Sequence, residues 1–203
     1  MRLNRKYRNP ILFLFVLVLG FAAAGVLTAL AGTAPQGMSP RQEKLNFTAD
    51  NELQRPDFSF RNWIHIGTPL TPNDLNPPEA PFPEFHNVYI HPDDLDHYAR
   101  TGKFRDGTAL VKELVSVGSK AAPSGKGYFM GEFTGLEVAV KDSRRFPDEP
   151  GYWAYFSYGH SYPLKAKASI QPTATCNSCH QQNAAEDWVF SQYYPVLRAA
   201  RSH

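Results

Sequence analysis

The sequence has few cysteines and no excess of basic residues in its main part. Cys176 and Cys179 are the only cysteines among 203 residues, too few thiols for a four-cysteine zinc site. Four of the 21 Lys and Arg residues stand before position 31, a stretch with no acidic residue, and removing them leaves 17 against 19 Asp and Glu. The remainder is therefore about neutral to slightly acidic, and this balance excludes a basic nucleic-acid-binding surface.

The N-terminus has the pattern of an export signal. Basic residues at positions 2, 5, 6 and 8 precede an uncharged apolar run from Ile11 to Ala31, and Ala29-Leu30-Ala31 has the small-residue pattern of a cleavage site. The run is about 20 residues long, enough to span a bilayer, so a retained anchor is the alternative. In both cases we expect the rest of the chain in the periplasm, in contact with the membrane only if the leader is retained.

The two cysteines belong to the motif Cys176-Asn177-Ser178-Cys179-His180, which has the C-x-x-C-H spacing that attaches a c-type haem. Its thiols can form thioether bonds with the two haem vinyl groups, and His180 is placed to coordinate the iron. A thioredoxin-like redox pair would follow a βαβ pattern, which residues 169–175 lack. The sequence therefore predicts one covalently bound haem c with His180 as the metal ligand.

The sequence offers no obvious second axial ligand for the iron. Only 23 residues follow His180 and none is methionine; Met38 and Met130 are the only methionines besides the initiator. Six other histidines, at positions 65, 86, 91, 97, 160 and 203, mostly neighbour turns and acidic residues, as solvent-exposed histidines do. We therefore expect five-coordinate iron, whose open position favours ligand binding or catalysis over simple electron transfer.

Apolar residues alternate with a period of two over most of the chain after residue 57. This period predicts strands over 62–67, 87–90, 109–117, 128–140 and 152–158, separated by Pro- and Gly-containing turns. Short helices are predicted over 92–101 and, just after the haem motif, over 183–193, with Pro195 ending or kinking the second. Residues 32–57 are polar and predict a linker. We expect a leader (1–31), this linker, and a single mainly β (α+β) haem domain over 58–203 with an antiparallel sheet.

Lys112 is a charged residue inside an otherwise apolar predicted strand. Alternation places it on the same strand face as Leu110 and Leu114, and places Glu113 on the opposite face. A lysine in an apolar setting has a lowered pKa, so its amine can act as a nucleophile. An ordinary lysine at the edge of a sheet is the alternative.

Glu137 interrupts another apolar strand, and its neighbours on the same face, Gly135 and Ala139, are small. Small neighbours would let a flat cofactor approach while the carboxylate leans over it. A partly exposed sheet face that carries one glutamate is the alternative explanation.

Over most of its length after the leader and linker, the sequence resembles the cytochrome P-460 family. The matching segments are 67–75, 88–90, 101–108, 111–118, 127–131, 135–137, 140–142 with 145–146, and 176–198. The resemblance implies a mainly antiparallel β homodimer with one c-type haem, held by Cys176, Cys179 and the proximal ligand His180. It also implies a covalent bond from a lysine to the porphyrin edge. The family's cross-linking lysine, in Val-Lys-Glu-Leu, corresponds to Lys112, and its distal glutamate, in Gly-Leu-Glu, corresponds to Glu137.

The resemblance further implies a haem enzyme that oxidises hydroxylamine, through an iron-nitrosyl, to nitrous oxide, nitrite or both, and passes the electrons to a periplasmic cytochrome c. Glu137 would be the base, and we expect partial desolvation to raise its pKa toward the operating pH. Lys112, once bonded, would distort and rigidify the macrocycle. The alternative is a gas- or nitric-oxide-binding protein similar to the cytochrome c′-β proteins, which lack the lysine link and the distal acid.

Overall fold

The computed structural model describes residues 45–201, so the predicted leader and residues 32–44 of the predicted linker lie outside the described residues. The strands are β1 (Leu53–Gln54), β2 (Ile64–Gly67), β3 (Phe85–Ile90), β4 (Ala109–Val117), β5 (Ala121–Ala122), β6 (Gly125–Lys126), β7 (Met130–Lys141), β8 (Trp153–Ser157) and β9 (Lys167–Ala168). The α-helices are α1 (Pro92–Thr101), α2 (Cys176–Asn183) and α3 (Pro195–Ala200). The predicted mainly β class is confirmed. Within residues 45–201, no helix is long and apolar enough to cross a membrane.

The main sheet has five strands in the order β2-β3-β4-β7-β8, and every neighbouring pair is antiparallel. Its two longest strands are neighbours: β4 is the central strand and β7 lies next to it. Lys112 on β4 stands directly opposite Val88 on β3 and Glu137 on β7. Residues opposite one another on neighbouring antiparallel strands share a sheet face, so this register places Lys112 and Glu137 side by side.

The period of two gives the sheet two apolar faces. On one, which we call the helical face, side chains of β3, β4 and β8 such as Ile90, Leu110 and Tyr155 pack with residues of α1, α2 and α3. The opposite face buries Val111, Val138 and their neighbours under Phe60 and other residues. Each large side chain buried in this way contributes about 1.5–3 kcal/mol of transfer free energy, so both clusters stabilise the sheet.

The described end of the predicted linker is part of the domain. Leu53 is fully buried, and β1 pairs with β9. The ring of Phe47 packs edge-on against the rings of Phe146 and Phe156, with centroids 5.9 Å away in each case. The prediction of a linker up to Asp57 is therefore wrong for residues 45–57. Only isolated apolar residues of this segment are buried, and isolated residues produce no period.

The predicted helix over 183–193 is also wrong. The haem motif itself forms α2, the chain then turns at 186–189, and Pro195 begins α3 rather than ending a helix. Proline is well suited to the first position of a helix, where its missing N–H would have no intrahelical partner. Asp187 and Trp188 have positive φ angles, which no right-handed helix can contain. By contrast, α1 spans the predicted residues and ends at Gly102, whose φ of 70° gives a left-handed cap.

Candidate functional site

Helix α2 presents both cysteines and the histidine of the motif on one side. Cys176, Cys179 and His180 are spaced i, i+3 and i+4, the spacing at which helical side chains are neighbours. The two thiols are not joined in a disulfide. Asn177 is fully buried and donates a hydrogen bond of 2.7 Å from Nδ2 to the carbonyl oxygen of Trp153, which attaches α2 to β8. Burial raises the pKa of the Cys176 thiol.

His180 is oriented by one hydrogen bond and two aromatic rings. Its Nδ1 lies 2.8 Å from the carbonyl oxygen of Trp188, and because a carbonyl can only accept, Nδ1 carries the proton. The other ring nitrogen, Nε2, therefore keeps the lone pair that binds a metal. The imidazole packs against Tyr155 and Phe190, with ring centroids 4.4 and 4.6 Å away. Burial lowers the pKa of His180 and favours the neutral form that ligates iron.

Lys112 and Glu137 form an ion pair on the helical face. Nζ of Lys112 lies 2.5 Å from Oε2 of Glu137, and their side chains are 25% and 20% exposed. Burial dominates the pKa shifts of Cys176 and His180, but the charges of Lys112 and Glu137 also act on both groups. The structure therefore brings all five residues that the sequence predicted for the site to the same side of the sheet.

Four further residues surround this pair, and the sequence reasoning missed their role. His160 Nε2 lies 3.2 Å from Oε1 of Glu137, and its Nδ1 lies 3.7 Å from Oε1 of Glu84. The ammonium of Lys112 lies 4.9 Å from the ring centroid of Phe82. His86, on β3, stands opposite Leu114 of β4, and its Nε2 is buried without a hydrogen-bond partner among residues 45–201.

The expectation that the remaining histidines are solvent-exposed is wrong for His86, whose Nε2 is buried, and for His91, which is 8% exposed and accepts a hydrogen bond of 3.2 Å from Asp93 N at the start of α1. His160 is 43% exposed, as expected, but it contacts Glu137, which was not expected. Extending the predicted strand over 87–90 back to Phe85 would have placed His86 on the same face as Val88 and Ile90. His160 lies outside the strands, and no pattern in the sequence indicates that it reaches Glu137.

The charges around Glu137 reverse the pKa shift that we expected. Burial raises the pKa of Glu137, but the hydrogen bond from His160 and the positive charge of Lys112 together outweigh it and hold the pKa at about 2. The hydrogen bond to Glu137 also raises the pKa of His160. Burial and the nearby Lys112 charge lower the pKa of His86 to about 4, so this histidine is neutral at physiological pH.

The absence of a side chain at Gly135 does not make room for a cofactor, contrary to our prediction. A Cβ atom at this position would lie 2.6 Å from the carbonyl oxygen of Gly159 and 2.8 Å from Cδ1 of Leu114. The chain itself, rather than space for a cofactor, occupies this place. The glycine lets the backbone of residues 159–160 cross close to β7, and this crossing places His160 beside Glu137.

The donor atoms of the site fit a c-type haem. Two unpaired thiols share a helix side with an imidazole whose Nε2 is available to iron, and Tyr155 and Phe190 supply aromatic walls. A site that binds a metal ion directly is a different matter. In the described part of the chain, no group of three or more His, Cys, Asp or Glu side chains could hold a metal ion.

One comparison with known proteins gives a match. The family model described as Cytochrome P460 matches residues 58–191, more than half of the chain, a range that includes Lys112, Glu137 and the haem motif. No curated protein matches the chain.

Proposed function

The chain belongs to the cytochrome P460 family, whose members are c-type haem proteins, and from this premise we propose that it is a haem enzyme that oxidises hydroxylamine. The observation that carries the proposal is the Glu137 carboxylate, which lies on the helical face together with Cys176 and His180 and has Nε2 of His160 3.2 Å away as a partner for proton exchange. A protein that only binds a gas needs no carboxylate with a proton-accepting partner beside the bound molecule.

In this proposal Cys176 and Cys179 hold the haem by thioether bonds, His180 ligates its iron through Nε2, and Lys112 bonds to the porphyrin edge. The haem supplies an iron centre that binds hydroxylamine and accepts its electrons. The protein's own residues then have to remove the protons that the oxidation releases.

Glu137 is the proposed base. Paired with the Lys112 ammonium, its carboxylate is a weak base, because its pKa of about 2 lies far below neutral pH. The hydrogen bond from His160 would remain, but bonding of Lys112 to the porphyrin would remove the ammonium charge, and burial would then raise the pKa of Glu137 above its value in the ion pair. The cross-link would then also activate the base.

His160 is the proposed exit for the proton. Its Nε2 faces Oε1 of Glu137, its Nδ1 faces Glu84, and 43% of its side chain is exposed to solvent. When the imidazole is neutral with its proton on Nδ1, a proton that Glu137 takes from the substrate nitrogen can pass to Nε2, while the Nδ1 proton leaves to Glu84 or to water.

We further propose that the enzyme works in the periplasm as a homodimer, passes electrons to a soluble cytochrome c, and releases nitrous oxide, nitrite or both. The export pattern of residues 1–31 and the resemblance to the family support this part of the proposal.

The second candidate function is gas or nitric oxide binding, as in the cytochrome c′-β proteins. It is favoured by the ion pair itself, since Nζ of Lys112 is held 2.5 Å from Oε2 of Glu137 and, while it stays there, does not bond to another group. An absorption spectrum of the purified reduced protein separates the candidates. A Soret band far to the red of an ordinary c-type haem indicates the lysine bond, whereas an ordinary position supports the second candidate.

The catalytic test is substitution of Glu137. We expect Glu137→Ala to keep the haem and to bind hydroxylamine, but to oxidise it about a hundredfold more slowly or worse, which is the usual contribution of a positioned base. Glu137→Asp should fall between. Glu132→Ala is the matched control, because Glu132 is an exposed glutamate on the same strand. Full turnover by Glu137→Ala would overturn the proposed mechanism.

A further inference from the structure

The turn that follows α2 has an unusual backbone. Asp187 and Trp188 have φ angles of 45° and 59°, and Val189 N donates a hydrogen bond of 2.8 Å to the carbonyl oxygen of Glu186. Two consecutive positive φ angles are typical of type I′ turns, which normally contain Asn and Gly at these positions. A tryptophan in the left-handed region is strained, and such strain persists only where the surroundings hold it.

Two anchors hold this turn. Nζ of Lys141, on the last residue of β7, lies 2.6 and 2.8 Å from the two carboxylate oxygens of Asp187, and Trp153 Nε1 donates to the same carboxylate at 3.4 Å. The ring of Trp188 covers Gly151, where a Cβ would lie 2.4 Å from its Cε3. The Lys141 side chain is only 13% exposed, so water screens this ion pair weakly.

The turn directs one carbonyl group at the haem-binding helix. The oxygen of Trp188 accepts hydrogen bonds from His180 Nδ1 at 2.8 Å and from the Tyr155 hydroxyl at 3.3 Å. Because a carbonyl oxygen can only accept, the Tyr155 hydroxyl is the donor in this second hydrogen bond. The two donors therefore share one acceptor.

We propose that Lys141 and Asp187 are positioning residues for His180: they hold the strained turn so that the Trp188 carbonyl fixes the imidazole and increases its electron donation to iron. A carbonyl acceptor on Nδ1–H makes the imidazole a stronger ligand and favours the oxidised iron. Tyr155 has the opposite effect on this electron donation, because its hydroxyl donates a second hydrogen bond to the same carbonyl oxygen and weakens the one from the imidazole. The proposal requires the haem and His180 ligation but not hydroxylamine oxidation, so it can fail independently of the proposed function.

The test compares four variants of the full-length haem-containing protein, without hydroxylamine. Resonance Raman gives the iron–histidine stretching frequency of the reduced protein, and a redox titration gives the equilibrium between oxidised and reduced forms. We expect Lys141→Met to lower the stretching frequency and to shift the equilibrium about fivefold toward the reduced form, the factor for one net hydrogen bond. Lys141→Arg should restore both values.

Tyr155→Phe provides the sharper comparison. It keeps the ring beside His180 but leaves the carbonyl to the imidazole alone, so both readouts should move in the direction opposite to Lys141→Met. Lys167→Met is the matched control, because it breaks the exposed Lys167–Glu52 ion pair elsewhere in the domain and should change neither readout.

If Lys141→Met fails to fold, Asp187→Asn replaces it, since asparagine tolerates the left-handed conformation but lacks the charge. Unchanged readouts in Lys141→Met or its replacement would overturn the proposal. Equal shifts in the Lys167→Met control, or a shift of Tyr155→Phe in the same direction as Lys141→Met, would also overturn it.

Discussion

Glu113 and its neighbour in sequence, Lys112, carry opposite charges on opposite faces of β4. Glu113 is 2% exposed on the face opposite the haem motif, and its Oε1 lies 2.5 Å from Nη2 of Arg61. The guanidinium of Arg61 in turn packs over the rings of Phe58 and Phe133, at 4.6 and 4.4 Å from their centroids. The Arg61–Glu113 ion pair therefore has a structural role, and it does not reach the candidate site.

We predict that substitution of Glu113 and substitution of Arg61 lower the free energy of unfolding by different amounts. Glu113→Ala leaves Arg61, which is 38% exposed and can return to water, so the loss in unfolding free energy should be about 2–3 kcal/mol. Arg61→Ala instead leaves a buried carboxylate unpaired and should cost about 3–5 kcal/mol. Urea unfolding of both variants measures the difference. A larger loss for Glu113→Ala would contradict the assignment of Glu113 as the buried charge.

His160 should make stability depend on pH. The hydrogen bond to Glu137 raises the pKa of His160 above its ordinary value of 6.5, and the Glu137 and Glu84 charges act in the same direction. A pKa that is higher in the folded state gives a contribution that is complete below pH 6.5 and is lost as pH rises through the folded value. We predict that His160→Gln is less stable than the wild type at pH 5.5 and that the gap narrows toward pH 9 in denaturant titrations. A constant gap would show that the histidine does not titrate in this pair.

At the scale of elements, the contact between β7 and the loop at 159–160 depends on Gly135. We predict that Gly135→Ala destabilises the protein by about 1–3 kcal/mol, the usual cost of overpacking, because the new methyl group meets the backbone of Gly159. The displaced loop should also move His160 away from Glu137 and bring the pKa of His160, measured by NMR, back toward 6.5. Gly127→Ala is the control, since its Cβ would make only an ordinary contact, 3.7 Å from Phe129. Equal stability of the two variants would contradict this account of Gly135.

Alternation along the strands of the main sheet places the candidate site on one face and the second hydrophobic core on the other. Successive residues of β4 and β7 point to opposite faces, so Lys112, Glu137 and Lys141 face the helices while Val111, Leu136 and Val138 fill the other core. A one-residue slip between β4 and β7 would break the ion pair and expose apolar side chains at once, so the same register serves stability and site geometry.

At the scale of the whole molecule, haem attachment should depend on export. We predict that a chain lacking residues 1–31 accumulates without covalent haem, because the export that we propose from the leader pattern would take the chain to the compartment where c-type haem is attached. Mass spectrometry of the denatured protein measures this directly. A full-length Cys176→Ser/Cys179→Ser variant should likewise lack covalent haem after export. Covalent haem on the chain without its leader would contradict the prediction.

The sequence by itself determined the features that depend on short spacings. The haem motif is readable because a thiol pair and an imidazole within five residues belong to one helix turn, wherever that helix packs. Helix α1 and strand β4 were predicted with the bounds that the structure has, since their periods and terminal residues are local signals. Lys112 and Glu137 came from the resemblance to a family, and alternation alone left ordinary explanations open for both.

Only the tertiary structure decided the environment of these residues. The pairing of Lys112 with Glu137 depends on strand register, and the approach of His160 depends on a loop crossing at Gly135. The pKa of Glu137 moved opposite to our expectation because charges within a few ångströms outweigh burial, and residues distant in sequence supply those charges. The turn at 186–189 escaped prediction for the same reason, since the lysine that holds Asp187 lies 46 residues earlier in the chain.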